Sequence, residues 1–295
     1  MDFAAPACYT SGVDADSSAS KTALMVCAYR ARASRWPKPL FLDPWAEPLA
    51  GSEGHDIAKR LDLRFPPMEL WLAVRVAYLD NLVGIAVDRL SARQVVILGA
   101  GYDTRAARLP RAGVRFFEVD HPATQAEKRA RLATLDGYPL DAAIYVACDF
   151  ETDDPIAQLI AAGLDPGEPA LVIWEGVVPY LTEPAVRATA TRLAAGLDPR
   201  SLVAFDFVGK NYAAGHKMTP ADLEARAYVG ELGEPIRYGS DDVLPMLYEC
   251  GFRWVRTLDF NELALELVHD YQRERKFRFQ RLALAAVRTP VAGWP

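Results

Sequence analysis

The 295-residue chain is poor in the residues that announce a metal centre or a disulfide framework. It has only four cysteines and four histidines. Cys8, Cys27, Cys148 and Cys250 form no Cys-x-x-Cys pair, and His55, His121, His216 and His269 are equally dispersed. Structural zinc and other metal sites are therefore not expected, and the thiols are read as reduced and mostly buried. No uninterrupted apolar run approaches the ~18–20 residues of a membrane span. Residues 1–20 contain no Lys or Arg and no long apolar block, so they read as a mobile tail rather than a secretory signal. A basic excess is missing too: 33 Lys and Arg stand against 39 Asp and Glu, a net charge of −6. Nucleic acid and anionic membranes are thus not expected as partners, and a cytoplasmic setting is. No fixed-period repeat appears. What remains is ordinary globular material, with 51% hydrophobic and 24% charged residues and a mean hydropathy of −0.01. That mix can bury a large core, which excludes disorder and fibrous folds.

Helical spacing of apolar residues predicts a helix over 21–34, a short one after Asp43-Pro44, and a long one over 68–90. The first ninety residues read as a helical cap. The period then changes. The run Gln94-Val95-Val96-Ile97-Leu98 suits a strand buried on both faces, and similar runs follow at 114–119, 143–147, 170–174 and 201–207. Helices are expected at 122–135, 155–162 and 184–197. Strands alternating with helices predict an α/β, doubly wound parallel sheet. After Phe207 the alternation pauses for about thirty polar residues, 208–240, which read as an inserted lid above the sheet. A helix at 241–250, a strand at 252–258, a helix at 261–271 and a strand at 277–287 complete the chain. The last strand alternates, as an antiparallel strand at or near a sheet edge would. Residues 21–295 are expected to form one domain, with 21–92 as cap and 93–295 as core. The basic cluster Arg273, Arg275, Lys276, Arg278 and Arg281 reads as a solvated helix end.

Directly after the first strand stands Gly99-Ala100-Gly101-Tyr102-Asp103-Thr104. Glycines there let the backbone turn tightly against a ligand at the start of a helix. The second strand ends in Glu118-Val119-Asp120, where an acid can hydrogen-bond the hydroxyls of an adenosine ribose. A third glycine is missing, since Thr104 occupies its place, and Asp103 beside the turn would repel a pyrophosphate. Both features count against a nicotinamide cofactor and are compatible with S-adenosylmethionine, which has no phosphates. No Gly-x-x-x-x-Gly-Lys-Ser/Thr motif is present, which removes the P-loop reading.

The words Lys21-Thr22-Ala23, Arg30-Ala31, Pro39-Leu40-Phe41-Leu42-Asp43-Pro44-Trp45-Ala46, the run 95–105, Arg108-Leu109-Pro110, Phe117-Glu118-Val119-Asp120-His121-Pro122, Asp149-Phe150 and Glu175-Gly176-Val177-Val178-Pro179-Tyr180-Leu181 follow one another across most of the chain. In this order they resemble the leucine carboxyl methyltransferase family, especially its bacterial branch of S-adenosylmethionine-dependent O-methyltransferases, which includes polyketide carboxyl methyltransferases. One departure is Ala33, where that branch often carries Glu. The resemblance implies a class I methyltransferase fold with an antiparallel last strand, and S-adenosylmethionine as cofactor. It implies that Lys21 and Arg75 hold the methionine carboxylate and that Gly99 and Gly101 form the turn beneath the cofactor. Asp120 would bind the ribose, with Glu118 as runner-up, Asp149 and Phe150 would meet the adenine, and Glu175 would face the methionine amino group. A buried Glu without a partner is costly, so Glu175, just past an apolar strand, itself suggests a ligand.

The expected reaction is an in-line methyl displacement. No catalytic residue is assigned: His121 reads as a hydrogen-bonded strand-end residue rather than a base. Tyr180 and the insertion's aromatics are candidates for a substrate wall. A carboxylate acceptor needs no base, which favours a small-molecule acid such as a polyketide over a phenol or hydroxyl. A nicotinamide-dependent oxidoreductase and a non-catalytic S-adenosylmethionine-binding protein stand as alternatives.

Overall fold

The computed structural model describes residues 20–272, 277 and 279–288. Residues 1–19 of the expected tail lie outside the described residues, as do Arg273, Arg275, Lys276 and Arg278 of the basic cluster. The elements run α1 (Lys21–Ala33), α2 (Ala46–Asp62), α3 (Met68–Leu90), β1 (Gln94–Leu98), α4 (Arg105–Arg108), β2 (Arg115–Asp120), α5 (Pro122–Leu132), β3 (Ile144–Ala147), α6 (Pro155–Ala161), β4 (Ala170–Trp174), α7 (Glu183–Gly196), β5 (Leu202–Val208), α8 (Lys210–Ala213), α9 (Pro220–Glu231), α10 (Leu244–Glu249), β6 (Trp254–Asp259), α11 (Phe260–Leu267) and β7 (Gln280–Ala286).

The seven strands form one sheet in the order β3-β2-β1-β4-β5-β7-β6. β1 to β5 are parallel and β7 runs antiparallel between β5 and β6. Every residue of β1, β4 and β5 is buried, which explains why these strands read as unbroken apolar runs rather than alternating ones. One face packs Val95, Ile97, Leu171 and Ile173 against α1, α2, α3 and α11. The other packs Val96, Leu98, Val172 and Trp174 against α6, α7 and α10. This is the doubly wound sheet the alternation predicts.

Several details sharpen the sequence reading. β7 is antiparallel and lies near the edge as expected, one strand in, and both its faces are buried, with Leu282 and Leu284 on one side and Ala283 and Ala285 on the other. The small alanines produced the apparent alternation, because they fill the tighter layer without large side chains. Arg281 therefore belongs to a strand, not a helix end, and donates to the Asp241 carbonyl. The polar insertion after β5 contains α8 and α9, the latter started by a Thr219–Asp222 capping box. α3 is long and apolar enough to cross a membrane by length and composition, but 67% of that window is buried. It packs across β4 and α11, so part of the expected cap completes a layer of the sheet sandwich.

Candidate active site

The carboxyl ends of β1, β2, β4 and β5 open into one cavity of about 1040 Å³. Such volume lies at the upper end of the ~300–1,000 Å³ of small-molecule sites, leaving room for a nucleoside and a second molecule. All eight residues singled out as cofactor-binding line it: Lys21, Arg75, Gly99, Gly101, Asp120, Asp149, Phe150 and Glu175.

The turn after β1 is held by steric demand. Gly99 and Gly101 have φ of 66° and 47°, a region costly for side chains. A Cβ on Gly99 would also come within 2.1 Å of Val177 Cγ2, and one on Gly101 within 2.9 Å of Ala23 Cβ. The turn is thus wedged between the loop after β4 and the first turn of α1. Asp120, half-buried at the end of β2, accepts the Gly101 N–H on one oxygen and the His121 N–H at 2.6 Å on the other. Each oxygen keeps a second lone pair for ligand hydroxyls. Burial raises its pKa, while the two backbone N–H groups and Lys128 oppose the rise. Past β3, Asp149 accepts the Glu151 N–H at 2.9 Å, and Phe150 leans on Trp174 with ring centroids 6.4 Å apart.

Below the turn lies a network of buried charges. Arg75, 5% exposed, donates from Nε to Glu175 at 2.8 Å and from Nη1 to Asp206 at 2.7 Å. Its Nη2 donates to no described group and stays available for a ligand. Asp206 also accepts the Gly176 N–H at 2.5 Å. Arg105, 1% exposed, bridges Asp80 at 2.7 Å, Glu175 at 2.6 Å and Asp103. For Glu175 burial pushes the pKa up, but Arg105 and Arg75 outweigh it and hold the group below the usual range. Asp103 behaves likewise: burial raises it, and Arg105, Arg30, Lys128 and Arg108 together bring it to about 2.

The cap is bolted to this floor by the words that carried the resemblance. Arg30 donates to Asp43 at 3.0 Å and to the Tyr102 carbonyl. Asp43 also accepts the Thr104 hydroxyl at 2.7 Å and the Ala46 N–H at 3.1 Å. From the other side comes the insertion, whose Tyr212 and Glu234 line the cavity with Tyr180. Tyr212 stacks on Phe279 at 3.8 Å.

Some expectations change. Glu118 is not part of the cavity lining: it is 1% exposed and bonded to Lys128, so the ion-pair reading of this residue holds. His121 accepts the Ala123 N–H at Nδ1, 3.3 Å, and caps α5. The argument that Asp103 repels phosphates loses force, because its charge is neutralised by the guanidinium of Arg105. Sequence reasoning missed Arg105, Asp206 and Glu234 as lining residues. Asp206 had a signal, a lone acid inside the apolar run Ala204-Phe205-Asp206-Phe207, open to the same burial argument made for Glu175. Arg105 stood inside a quoted word without a role, and Glu234 is one acid among many in a polar stretch.

The lining carries eight carboxylates against four cations, Lys21, Arg30, Arg75 and Arg105. An excess of negative charge suits a ligand whose amino-acid end holds a sulfonium and an ammonium against one carboxylate, and the glycine turn offers the close backbone approach a nucleoside needs. Among the described residues no group of His, Cys, Asp or Glu is placed to hold a metal ion.

Sheet order, antiparallel β7 and this cavity define a class I methyltransferase. Two solved structures share the fold: a candidate methyltransferase of Thermobifida fusca YX (TM-score 0.61, 16% identity, 95% of this chain and 99% of that one) and a DUF574-family protein of Streptomyces avermitilis MA-4680 (TM-score 0.60, 14% identity, 92% and 98%). The model of the leucine carboxyl methyltransferase family matches residues 23–194. A candidate S-adenosyl-L-methionine-dependent methyltransferase of Mycobacterium avium (strain 104) is 37% identical over 210 residues, 66% of this chain and 68% of that protein. One of Mycobacterium tuberculosis (strain H37Rv) is 40% identical over 182 residues, covering 57% and 52%. The chain belongs to the leucine carboxyl methyltransferase family, and its cofactor is S-adenosylmethionine. Membership decides against the nicotinamide-dependent oxidoreductase.

Proposed function

We propose that the protein methylates the carboxylate of a small, largely apolar molecule, a polyketide or other secondary metabolite, to a methyl ester. S-adenosylmethionine supplies an electrophilic methyl group on a positively charged sulfur and leaves as S-adenosylhomocysteine. Lys21 and the free Nη2 of Arg75 would meet its carboxylate, Glu175 its ammonium, Asp120 its ribose, and Asp149 and Phe150 its adenine. The guanidinium groups beneath keep Glu175 ionised and aimed, so the donor is held without rearrangement of the floor. Water is excluded by the cap on one side and by the insertion on the other.

The observation that carries the acceptor class is the commitment of the charged lining. Asp206, Glu175 and Asp103 are bound to arginines, His121 caps a helix through Nδ1, and burial raises the Tyr180 phenol far above neutrality. Glu175 and Asp103, held ionised below the usual carboxyl range, and the protonated Tyr180 phenol are not set up to take a proton. An acceptor that arrives ionised, with the ordinary carboxyl pKa of ~4, needs no such help. Met68, Trp71, Leu72, Val208 and Val229 offer its carbon frame apolar walls. A cytoplasmic setting and independence from nucleic acid and membranes belong to the same proposal. The net charge of −6 and the buried, unpaired thiols of Cys27, Cys148 and Cys250 support it.

A panel of aryl and aliphatic acids, phenols and alcohols, incubated with methyl-labelled cofactor, tests the acceptor. Label should appear in base-labile esters; label only in ethers would overturn the carboxylate reading. For the cofactor, Glu175→Ala or Asp120→Ala should weaken binding about tenfold or more by titration calorimetry. Unchanged affinity would refute that residue's role.

A further inference from the structure

Glu234 joins two walls of the cavity that are far apart in sequence. It belongs to the insertion between β5 and α10, and its half-buried carboxylate accepts the Ser20 hydroxyl at 2.5 Å and the Thr22 hydroxyl. Those two hydroxyls flank Lys21, the first residue of α1. Ser20 Oγ also accepts the Ala23 N–H at 3.0 Å, and the Ser20 N–H donates to Thr124 Oγ1 at 3.3 Å. Glu234 follows Gly233, whose φ is 102°, and just beyond it the Arg237 and Tyr238 N–H groups donate to the Pro179 carbonyl at 2.8 and 3.0 Å. The segment is therefore tied to the turn carrying Tyr180 at one end and to the start of α1 at the other.

Lys21 differs from the other lining cations. Arg30, Arg75 and Arg105 are each ion-paired inside the protein, whereas Lys21 is exposed and pairs with no carboxylate among the described residues. A cation on the first residue of a helix also sits at the positive end of the helix dipole, which disfavours it. A carboxylate bonded to both neighbours offsets that penalty and stops the first turn from fraying. We infer that Glu234 is a positioning residue: it fixes the first turn of α1 so that Lys21 meets the carboxylate of the cofactor, and so couples the insertion on the acceptor side to the hold on the donor. The inference rests on the role of Lys21 proposed above.

Two ligands separate this role from simple scaffolding. S-adenosylhomocysteine carries the amino-acid carboxylate; 5′-methylthioadenosine keeps the nucleoside and the sulfur but lacks it. By calorimetry, Glu234→Ala should weaken the first by about fivefold and the second by less than about twofold. Retained binding of 5′-methylthioadenosine also shows that the variant is folded. Glu234→Gln, which keeps an acceptor for the hydroxyls, should recover most of the loss. Lys21→Met should show the same ligand dependence, and the double variant should bind no worse than the weaker single one, since both act through one contact. Equal losses for the two ligands, or additive losses in the double variant, would overturn the inference. If the wild-type chain bound neither ligand, the cofactor reading beneath it would fall instead.

Discussion

Beneath the ends of β1, β4 and β5, the charged side chains of the cavity are buried and bonded to one another; at its mouth they face solvent or backbone. Arg105 is 1% exposed and shares three carboxylates. Lys21, across the same cavity, is exposed and shares none among the described residues. Buried charges must be compensated inside the protein or not buried at all, so the floor can shape and bias a site but has few hydrogen bonds left to give. Charges at the mouth cost little to leave unpaired and can be committed to a ligand. The floor thus sets the field and the rim makes the contacts, with Arg75 spanning both through its one uncommitted nitrogen.

The sharpest way to break this comparison is to remove the central cation. Arg105→Met would leave Asp103 without its guanidinium partner, keeping only the backbone N–H of residue 105, and Glu175 with Arg75 alone. Deleting one member of a buried pair typically costs ~3–5 kcal/mol, which should appear as a large fall in the denaturant midpoint and a loss of cofactor binding. Arg105 Nη2 has no described partner, so part of this residue's desolvation is uncompensated and the loss should fall toward the lower end. A midpoint unchanged from wild type would show that the floor is not a cooperative unit.

A second test compares two acids that share Lys128. Its ammonium donates to the Asp103 carbonyl at 2.6 Å and to the Glu118 carboxylate. Asp103 also takes the Arg105 guanidinium and backbone N–H and sits at about 2, so its stabilising contribution is lost only as pH falls through about 2. For Glu118 burial outweighs Lys128 and lifts the pKa from 4.5 to about 7. Between those values the unfolded chain has lost a proton that the folded chain keeps. Stability should therefore fall as pH rises from 4.5 to 7 and level off above, by at most about 3 kcal/mol. Glu118→Gln should flatten that slope in thermal melts between pH 5 and 8. A variant as steep as wild type would show that Glu118 is ionised throughout.

The same division explains what could be read from sequence. The sheet was readable because β1, β4 and β5 are buried on both faces and so appear as nearly continuous apolar runs. Polar residues at or just past a strand end were readable too, because there they stand out against an apolar run: Asp120 and Asp149 on the rim and Glu175 on the floor. The rest of the floor was not, since its meaning lies in pairing between distant segments, Arg75 with Asp206 and Arg105 with Asp80. α8 and α9 were missed because short helices over a cavity need no strong apolar stripe. That both faces of β7 are buried was not legible, because Ala283 and Ala285 carry too little apolar surface to mark the second one.

Lys21 gives the smallest predicted effect and the most direct contrast with the floor. An exposed ammonium meeting a carboxylate contributes ~1 kcal/mol or less in high dielectric, so Lys21→Met should cost no more than about fivefold in S-adenosylhomocysteine affinity. Its diagnostic is ionic strength. The Debye length shrinks from ~10 Å at 0.1 M salt to ~3 Å at 1 M, so the difference between wild type and Lys21→Met should narrow as salt is raised. A contact made by the buried floor would not narrow in this way, because its partners are shielded from ions. Calorimetry of both proteins across that salt range decides the matter: a gap that stays constant would place Lys21 functionally with the floor and remove the distinction between the two regions.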